Sequence, residues 1–269
     1  MSLFYLQLLV SFIVGGGFIA LLTFLAERMP TRIAGAIISM PSIVIFSYLF
    51  VGWTTSADRV GQIAFSTLAG AGAVQIFTIA YMYMSLVKVK NKFLSIFLST
   101  ISAFSAWFIL AVVIVTNKIS YFPLAFGIYL SCVAISYYFL HVKNTVPLPE
   151  KIHHYTTRQI IYRSTFAGLM IAFTVFLSKA VNPFWAGVFG AFPAGYSSAF
   201  IILHYYYGSP MLFKVAKNIS IGSFCFASYL IASHWTFPAF GVIGGTAVSF
   251  IVSLIVLWLI EYGTKSKTI

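Results

Sequence analysis

The sequence carries very little charge. Only 7% of its 269 residues are charged, where a soluble domain usually has about 25%. Acidic residues are the scarcest, because the whole chain has four Asp and Glu residues. None of the four is expected at the middle of a membrane, which argues against a carboxylate proton relay or a cation site there. No stretch of the sequence has the charged composition of a soluble domain, so we expect none.

Cysteine and recognisable catalytic patterns are also scarce. The two cysteines, Cys132 and Cys225, both fall in apolar runs, which excludes a disulfide framework. No nucleophile–base pair, phosphate-binding loop or HExxH pattern occurs, so we expect neither an enzyme nor a cofactor. One polar stretch contains side chains that can bind metals, but their spacing matches no metal signature, so no metal site is expected. These side chains are His141, Glu150, His153 and His154.

Long apolar runs, in contrast, fill the chain. Runs of about 20 apolar residues are typical of membrane-spanning helices, and the period-2 alternation of a membrane barrel is absent. The sequence therefore predicts an all-α integral membrane protein with nine transmembrane helices. The nine predicted spans are 3–25, 33–52, 60–86, 93–115, 121–141, 160–181, 184–207, 212–233 and 237–260.

The basic residues predict the orientation. With nine spans and the N-terminus outside, thirteen of the 16 Lys and Arg residues lie in inner segments. Only Arg59, Lys118 and Lys179 then lie outside. The positive-inside rule therefore places Met1 outside and Ile269 inside. The net charge of +12 reflects this topology and some attraction to anionic lipid, and it does not indicate nucleic-acid binding.

The two halves of the chain repeat at an offset of 152 positions. Ala34, Gly35 and Pro41 in "AGAIISMPS" correspond to Ala186, Gly187 and Pro193 in "AGVFGAFPAG". Spans 1–4 then fall on spans 6–9, and an odd number of spans separates each equivalent pair. The sequence predicts two four-helix inverted repeats, 1–115 and 154–269, joined by a linking helix and an inner loop in 116–153.

Both repeats place a proline deep in an apolar run. Pro41 and Pro193 each lie about 12 to 13 Å from a predicted span end, at 1.5 Å per residue, so they approach the midplane from opposite sides. Each proline frees the carbonyl four residues earlier, at Ile37 or Phe189. Small residues nearby, Gly35, Ser39 and Gly187, allow close approach of another helix. Two broken helices at the midplane are typical of transporter substrate sites, although the kinks are also compatible with packing alone.

Several polar side chains near these kinks are candidate substrate ligands. They are Ser42, Gln75, Tyr196 and Ser197. Each has a structural alternative, because a serine often bonds to its own helix and a glutamine often bonds to a neighbouring helix. His204 could titrate during a transport cycle, or it could be an interfacial histidine beside the tyrosines that follow it.

The second half, over roughly 165–260, resembles the GlpM family of small bacterial membrane proteins. The resemblance rests on "AGVFGAFP" and on "ILHYYYG", which contains His204, Tyr205 and Gly208. The first half keeps Ala34, Gly35 and Pro41 but has Met40 in place of the phenylalanine. The resemblance implies an architecture in which two such units are fused around a linking helix, and it implies no particular activity.

These features together predict a transporter of a small anionic, neutral or amphiphilic solute in the cytoplasmic membrane of a prokaryote. Alternating access would come from rocking one repeat against the other about the two prolines. A channel lined by the same kinks is the first alternative, and a non-transporting scaffold is the second. The expected partners are membrane lipid and a small molecule or ion. A homodimer through glycine-rich faces such as Gly241 and Gly245 is also possible.

Overall fold

The structure is a computed structural model that describes residues 3–28, 41–143, 146, 156–180, 182–217 and 219–265. Every regular element in these ranges is helical. The elements are α1 (Leu3–Arg28), α2 (Ser42–Thr54), α3 (Ala57–Met84), α4 (Lys92–Thr116), α5 (Phe122–Tyr137), a π-helical turn (Tyr138–Val142), α6 (Thr157–Ala180), α7 (Pro183–Gly190), α8 (Ala194–Tyr207), α9 (Ser209–Ala216) and α10 (Ile219–Lys265). The sequence-based prediction of an all-α protein is confirmed for these residues.

Seven helical segments of the described chain are long and apolar enough to cross a membrane. They are Leu3–Leu25, Ala57–Met84, Lys92–Thr116, Phe122–Val142, Thr157–Ala180, Phe184–Tyr207 and Ile219–Ile260. Of the predicted second span, 33–52, only the part from Pro41 onwards is described, where α2 is a shorter apolar helix. These segments indicate a membrane protein. Large apolar side chains cover its outer surface, as lipid contact requires.

Helix α3 lies at the centre of the molecule, and most of its side chains are buried. Helices α4, α5, α7 and α10 all pack against it. The core divides into two clusters of buried side chains. One surrounds Phe77, Trp107 and Phe200, and the other surrounds Tyr48 and Tyr229. Both clusters draw residues from the two halves of the chain.

Helices α1 and α6 pack side by side in opposite directions. The rings of Phe4 and Phe176 are 6.5 Å apart near one end of the pair. Farther along, Gly16 faces Gly168, where a Cβ built on Gly16 would lie 3.5 Å from the Cα of Gly168. Because residue numbers rise along α1 while they fall along α6, the two helices are antiparallel. Glycines at this crossing let the backbones approach closely.

Helix α10 breaks at Gly241, which has φ +70° and ψ −172°. The two parts fold back on each other, as the hydrogen bond from the Cys225 Sγ to the Ser253 carbonyl at 3.3 Å shows. In one straight helix these residues, 28 positions apart, would be about 42 Å apart. The sequence had placed this turn between residues 233 and 237, which is wrong by a few residues. The chain stays helical through Pro238 and turns only at Gly241, where a glycine allows the positive φ.

Candidate functional site

Pro41 and Pro193 begin helices with the same backbone geometry. Pro41 has φ −75° and ψ 43°, and Pro193 has φ −76° and ψ 42°. The Ile45 amide donates to the Pro41 carbonyl at 3.0 Å, and the Ser197 amide donates to the Pro193 carbonyl at 2.8 Å. Neither helix has a side-chain cap at its first turn. In α8 the Ala194 amide donates to the Phe192 carbonyl at 2.8 Å, and the amides that follow it in the first turn have no side-chain cap.

The two helix starts lie next to each other. A Cβ built on Gly195, in the first turn of α8, would lie 3.5 Å from the Cδ1 of Ile43 in the first turn of α2. Pro41 and Pro193 are both buried there. The partial positive charge at the N-terminus of each helix therefore falls in the same part of the protein interior, which favours an anionic group between them.

The chain turns tightly between α7 and α8. The Phe192 amide donates to the Phe189 carbonyl at 3.0 Å, so helical pairing ends before Pro193. The Phe189 carbonyl, which the proline frees from helical pairing, thus accepts within the turn, and the Thr174 hydroxyl of α6 also lies 3.2 Å from it. That hydroxyl donates as well to the Met170 carbonyl of its own helix at 2.9 Å. The other freed carbonyl, at Ile37, lies outside the described residues. The Phe189 carbonyl is therefore engaged both by its own turn and by a neighbouring helix.

The remaining candidate residues occupy different surroundings. Gly187 faces α3, where a Cβ would meet the Ser66 hydroxyl and would lie 3.1 Å from the Ile63 carbonyl. Ser42 lines an apolar groove of about 330 Å³ between α1, α2 and the last part of α10. The Ser197 hydroxyl donates to the Ala194 carbonyl of its own helix at 3.1 Å. Gly35 and Ser39 lie outside the described residues.

Tyr196 lies one turn into α8, and its ring stacks on that of Phe200 at 6.1 Å. Gln75 lies within α3 and is 1% exposed. The Oε1 atom of Gln75 has no hydrogen-bond partner, although the membrane interior strongly penalises such an atom. Gln75 is therefore the one candidate ligand of the set whose side chain combines burial with an unpaired acceptor.

Three further buried hydroxyls without hydrogen-bond partners lie in the described chain, and sequence reasoning missed them. They belong to Ser47, Tyr48 and Tyr229. The rings of Tyr48 and Tyr229 are 6.0 Å apart. A Cβ built on Gly190, at the end of α7, would lie 3.6 Å from the Tyr48 ring. The two tyrosines thus lie beside the turn that precedes Pro193, and the only sequence signal for them was a polar group within an apolar run.

Among the described residues, no group of three or more His, Cys, Asp and Glu side chains could hold a metal ion. His141 is described, whereas Glu150, His153 and His154 lie outside the described residues.

Gly241 and Gly245, the glycines considered for a homodimer, both serve packing and turning within this chain. Gly241 forms the turn of α10, and a Cβ on Gly245 would lie 2.6 Å from the Cα of Phe237.

The fold and the apolar helices define an all-α protein of the membrane-spanning class. Residues 8–120 match the model of a family described as a protein of unknown function, DUF3147. The matched segment begins within α1 and ends at residue 120, just after the end of α4 at Thr116. No curated protein matches the chain. No solved structure matches it either.

Proposed function

We propose that this chain transports a small anionic, neutral or amphiphilic solute across a prokaryotic cytoplasmic membrane. The observation that carries the proposal is the meeting of two uncapped helix starts, at Pro41 and Pro193, in the protein interior. Broken helices whose N-terminal ends point at a shared site are the usual substrate site of inverted-repeat transporters. Within the proposed range of solutes, the two helix dipoles favour an anionic group.

Reciprocal contacts support the inverted repeat. A Cβ on Gly16 would lie 3.0 Å from the Ser164 carbonyl, and a Cβ on Gly168 would lie 2.7 Å from the Phe12 carbonyl. Adding 152 to Gly16 and Phe12 gives Gly168 and Ser164, so each contact is the other with the halves exchanged. Self-complementary pairing of this kind is the mark of a two-fold axis. Because α1 and α6 are antiparallel, the proposed axis is perpendicular to them and lies in the membrane plane.

A second pair of contacts follows the same rule. The rings of Tyr48 and Tyr229 are 6.0 Å apart, and the rings of Phe200 and Phe77 are 6.2 Å apart. These pairs also exchange under the offset of 152, since Tyr48 corresponds to Phe200 and Phe77 to Tyr229. Helices α2 and α8 therefore have equivalent neighbours in the two halves. The family match to residues 8–120 also supports the first unit, because it spans α1 to α4.

The proposal includes nine membrane crossings. Helix α10 supplies two of them, since it doubles back at Gly241 and has about 20 residues on either side. Helix α2 belongs to another, the predicted span 33–52, of which only the part from Pro41 onwards is described. The remaining six are α1, α3, α4, α5, α6 and the α7–α8 pair. The orientation, with Met1 outside and Ile269 inside, is part of the proposal and rests on the basic residues.

The unpaired polar atoms support a solute site beside the helix starts. The Gln75 acceptor is buried and unsatisfied. The Tyr48 and Tyr229 hydroxyls lack a partner within strict hydrogen-bond geometry, although Thr67 lies near the first and Ser233 and Thr246 lie near the second. Buried polar atoms normally find a partner, and a bound solute or water would supply one to each of these atoms. The Phe189 carbonyl is a weaker candidate, because Thr174 already donates to it.

The decisive experiment measures counterflow in proteoliposomes that contain the full chain. Radiolabelled acetate, succinate, octanoate and glycerol serve as probes of the anionic, amphiphilic and neutral classes. Saturable counterflow of any of them supports a carrier. Unitary currents without counterflow support the alternative of a channel. The absence of both signals would contradict transport and favour the alternative of a non-transporting scaffold.

The role of the prolines is tested in the same assay with Pro41→Ala and Pro193→Ala. Alanine restores an amide donor and straightens the helix, so we expect the initial rate per folded molecule to fall sharply. Pro123→Ala is the matched control, because Pro123 is exposed in the first turn of α5, where proline is tolerated. Normal specific activity in both test variants would remove the kinks from the mechanism.

A further inference from the structure

A polar pocket of about 370 Å³ lies where the α3–α4 loop meets the end of α8 and the start of α9. Its volume is within the range of small-molecule sites, about 300 to 1,000 Å³. The loop supplies a serine and two lysines, and helices α4, α8 and α9 supply a third lysine, a histidine and two serines. These residues are Lys88, Lys90, Lys92, His204, Ser85, Ser95 and Ser209.

His204 forms the floor of the pocket and is only 5% exposed. Its Nδ1 atom is 3.5 Å from the Tyr81 hydroxyl, and its Nε2 atom is 3.5 Å from the Ser95 hydroxyl. Both distances are at the outer limit for a hydrogen bond, so neither nitrogen is strongly engaged. The sequence left His204 as either a titrating group or an interfacial residue, and the structure places it in a buried polar position.

The three lysines form the rim of the pocket, and all three are exposed. The Lys92 ammonium lies 4.6 Å from the centre of the Tyr205 ring, which holds this side chain at the mouth. No carboxylate is among the described residues that line the pocket. Helix α9 also begins here, at Ser209, without a side-chain cap. The pocket therefore offers an anion several donors and no competing negative charge.

The positive-inside rule alone does not account for this pocket. Subtracting 152 from His204 gives Gly52, while adding 152 to Ser95 and Lys90 gives Ala247 and Val242. At that end of the molecule a Cβ on Gly52 would lie 2.8 Å from a Val242 methyl carbon, so the space is filled by apolar atoms. The rule explains lysines in a loop, but it does not explain a buried histidine and serine beneath them.

We propose that this pocket binds a phosphate group, with the lysine ammonium groups and the Ser95 hydroxyl as donors to its oxygens. The Ser85 and Ser209 hydroxyls already donate to the carbonyls of Met82 and Ser85. Lysine is a strong phosphate ligand, and hydrogen bonds to a charged phosphate are stronger than neutral ones. The phosphate belongs either to a free anion or to the headgroup of a lipid, because the pocket opens at the helix ends, where headgroups lie in a membrane. The proposal is independent of transport.

The test measures binding to the purified full chain in a neutral detergent by isothermal titration calorimetry. The probes are inorganic phosphate and dihexanoyl phosphatidic acid, and dihexanoyl phosphatidylcholine is the neutral-headgroup reference. The first variant combines Lys88→Gln, Lys90→Gln and Lys92→Gln. The matched control combines Lys143→Gln, Lys214→Gln and Lys217→Gln, which removes the same charge from segments predicted to lie on the same side and outside the pocket lining.

We expect saturable binding of phosphate, of phosphatidic acid or of both, which the pocket variant weakens about tenfold or more. The control variant should change the affinity by less than about twofold. Ser95→Ala, which leaves the lysines in place, should also weaken binding. Binding of only phosphate assigns a free anion, and binding of only phosphatidic acid assigns a lipid headgroup. Equal losses in the two triple variants, or no saturable binding of either probe, would overturn the proposal.

Discussion

Gly16 and Gly168 touch each other at the crossing of the first and sixth helices. A Cβ built on Gly168 would lie 3.1 Å from the Cα of Gly16, so neither position has room for a side chain. The two residues are 152 positions apart, which is the offset that aligns the two prolines. An equivalent pair in direct contact lies on the proposed two-fold axis, and this makes the glycine contact a sensitive test of the arrangement.

The first prediction is that Gly168→Ala lowers the free energy of unfolding by about 1 to 3 kcal/mol. The added methyl group would lie 2.7 Å from the Phe12 carbonyl, which is backbone and cannot move aside cheaply. Alanine offsets about 1 kcal/mol of the overpacking cost because it is the better helix former, so the net loss falls in the lower part of this range. Thermal unfolding in detergent measures the change.

Gly17→Ala is the control for this substitution. Gly17 is adjacent to Gly16 on the same helix, but a Cβ there meets nothing within 4 Å. It should be neutral or slightly stabilising. If both alanine variants melted like the original protein, α1 and α6 would not be packed in this way.

The second prediction concerns the hydrogen bond between Thr174 and the Phe189 carbonyl. Thr174→Val keeps the side-chain shape and removes the donor, so stability should fall by about 1 kcal/mol. Thr78→Val is the control, because Thr78 is equally buried and donates only to Val74 of its own helix, whereas Thr174 donates both to Met170 of its own helix and to Phe189. The loss in Thr78→Val should be smaller. Chemical denaturation of the two variants in the same detergent compares them directly.

The same bond is coupled to Pro193. In Pro193→Ala the new amide of residue 193 can donate to the Phe189 carbonyl, which then depends less on Thr174. The penalty of Thr174→Val should therefore be smaller in the Pro193→Ala background than in the original chain. A double-mutant cycle measures this coupling. Strictly additive effects would mean that Thr174 does not compensate for the proline.

The third prediction is the topology. In a chain whose buried cysteines, Cys132 and Cys225, are replaced by alanine, single cysteines at positions 90, 118 and 240 report the side of each loop. The nine-crossing arrangement places position 90 inside and positions 118 and 240 outside. An impermeant maleimide applied to intact cells distinguishes them. Labelling of 240 from the inside would contradict the reversal at Gly241, and labelling of 90 from the outside would contradict the orientation.

The sequence was sufficient to predict the helix break at Pro193, because a proline lacks the amide donor that a continuing helix needs. Pro41 and Pro193 have the same angles within one degree at each torsion. The sequence was not sufficient to place the last turn. The predicted spans leave a gap between residues 233 and 237, but the helix continues through Pro238, and the turn forms where Gly241 can adopt a positive φ.

The partners of the candidate site could not be read from the sequence, because they come from distant parts of the chain. Thr174 is an ordinary threonine of a membrane helix until α7 places the Phe189 carbonyl beside it. In the sequence, the basic residues around the start of α4 only indicate which side of the membrane the loop is on; they are Lys88, Lys90 and Lys92. The packing of α8 and α4 then brings His204 and Ser95 next to them. Local spacing predicts which residues share a helix, whereas tertiary contacts decide which helices share a site.

The pairing of α1 with α6 also means that α1 is synthesised well before the helix it packs against. Gly16 leaves the ribosome 152 residues before Gly168, which at about 5 to 20 residues per second is a delay of about 8 to 30 s. During that time α1 resides in the bilayer without its main neighbour. Its membrane core has no charged residue between Leu3 and Leu25, so lipid alone can hold it there. Helix α1 therefore packs against its main neighbour only after α6 has been made.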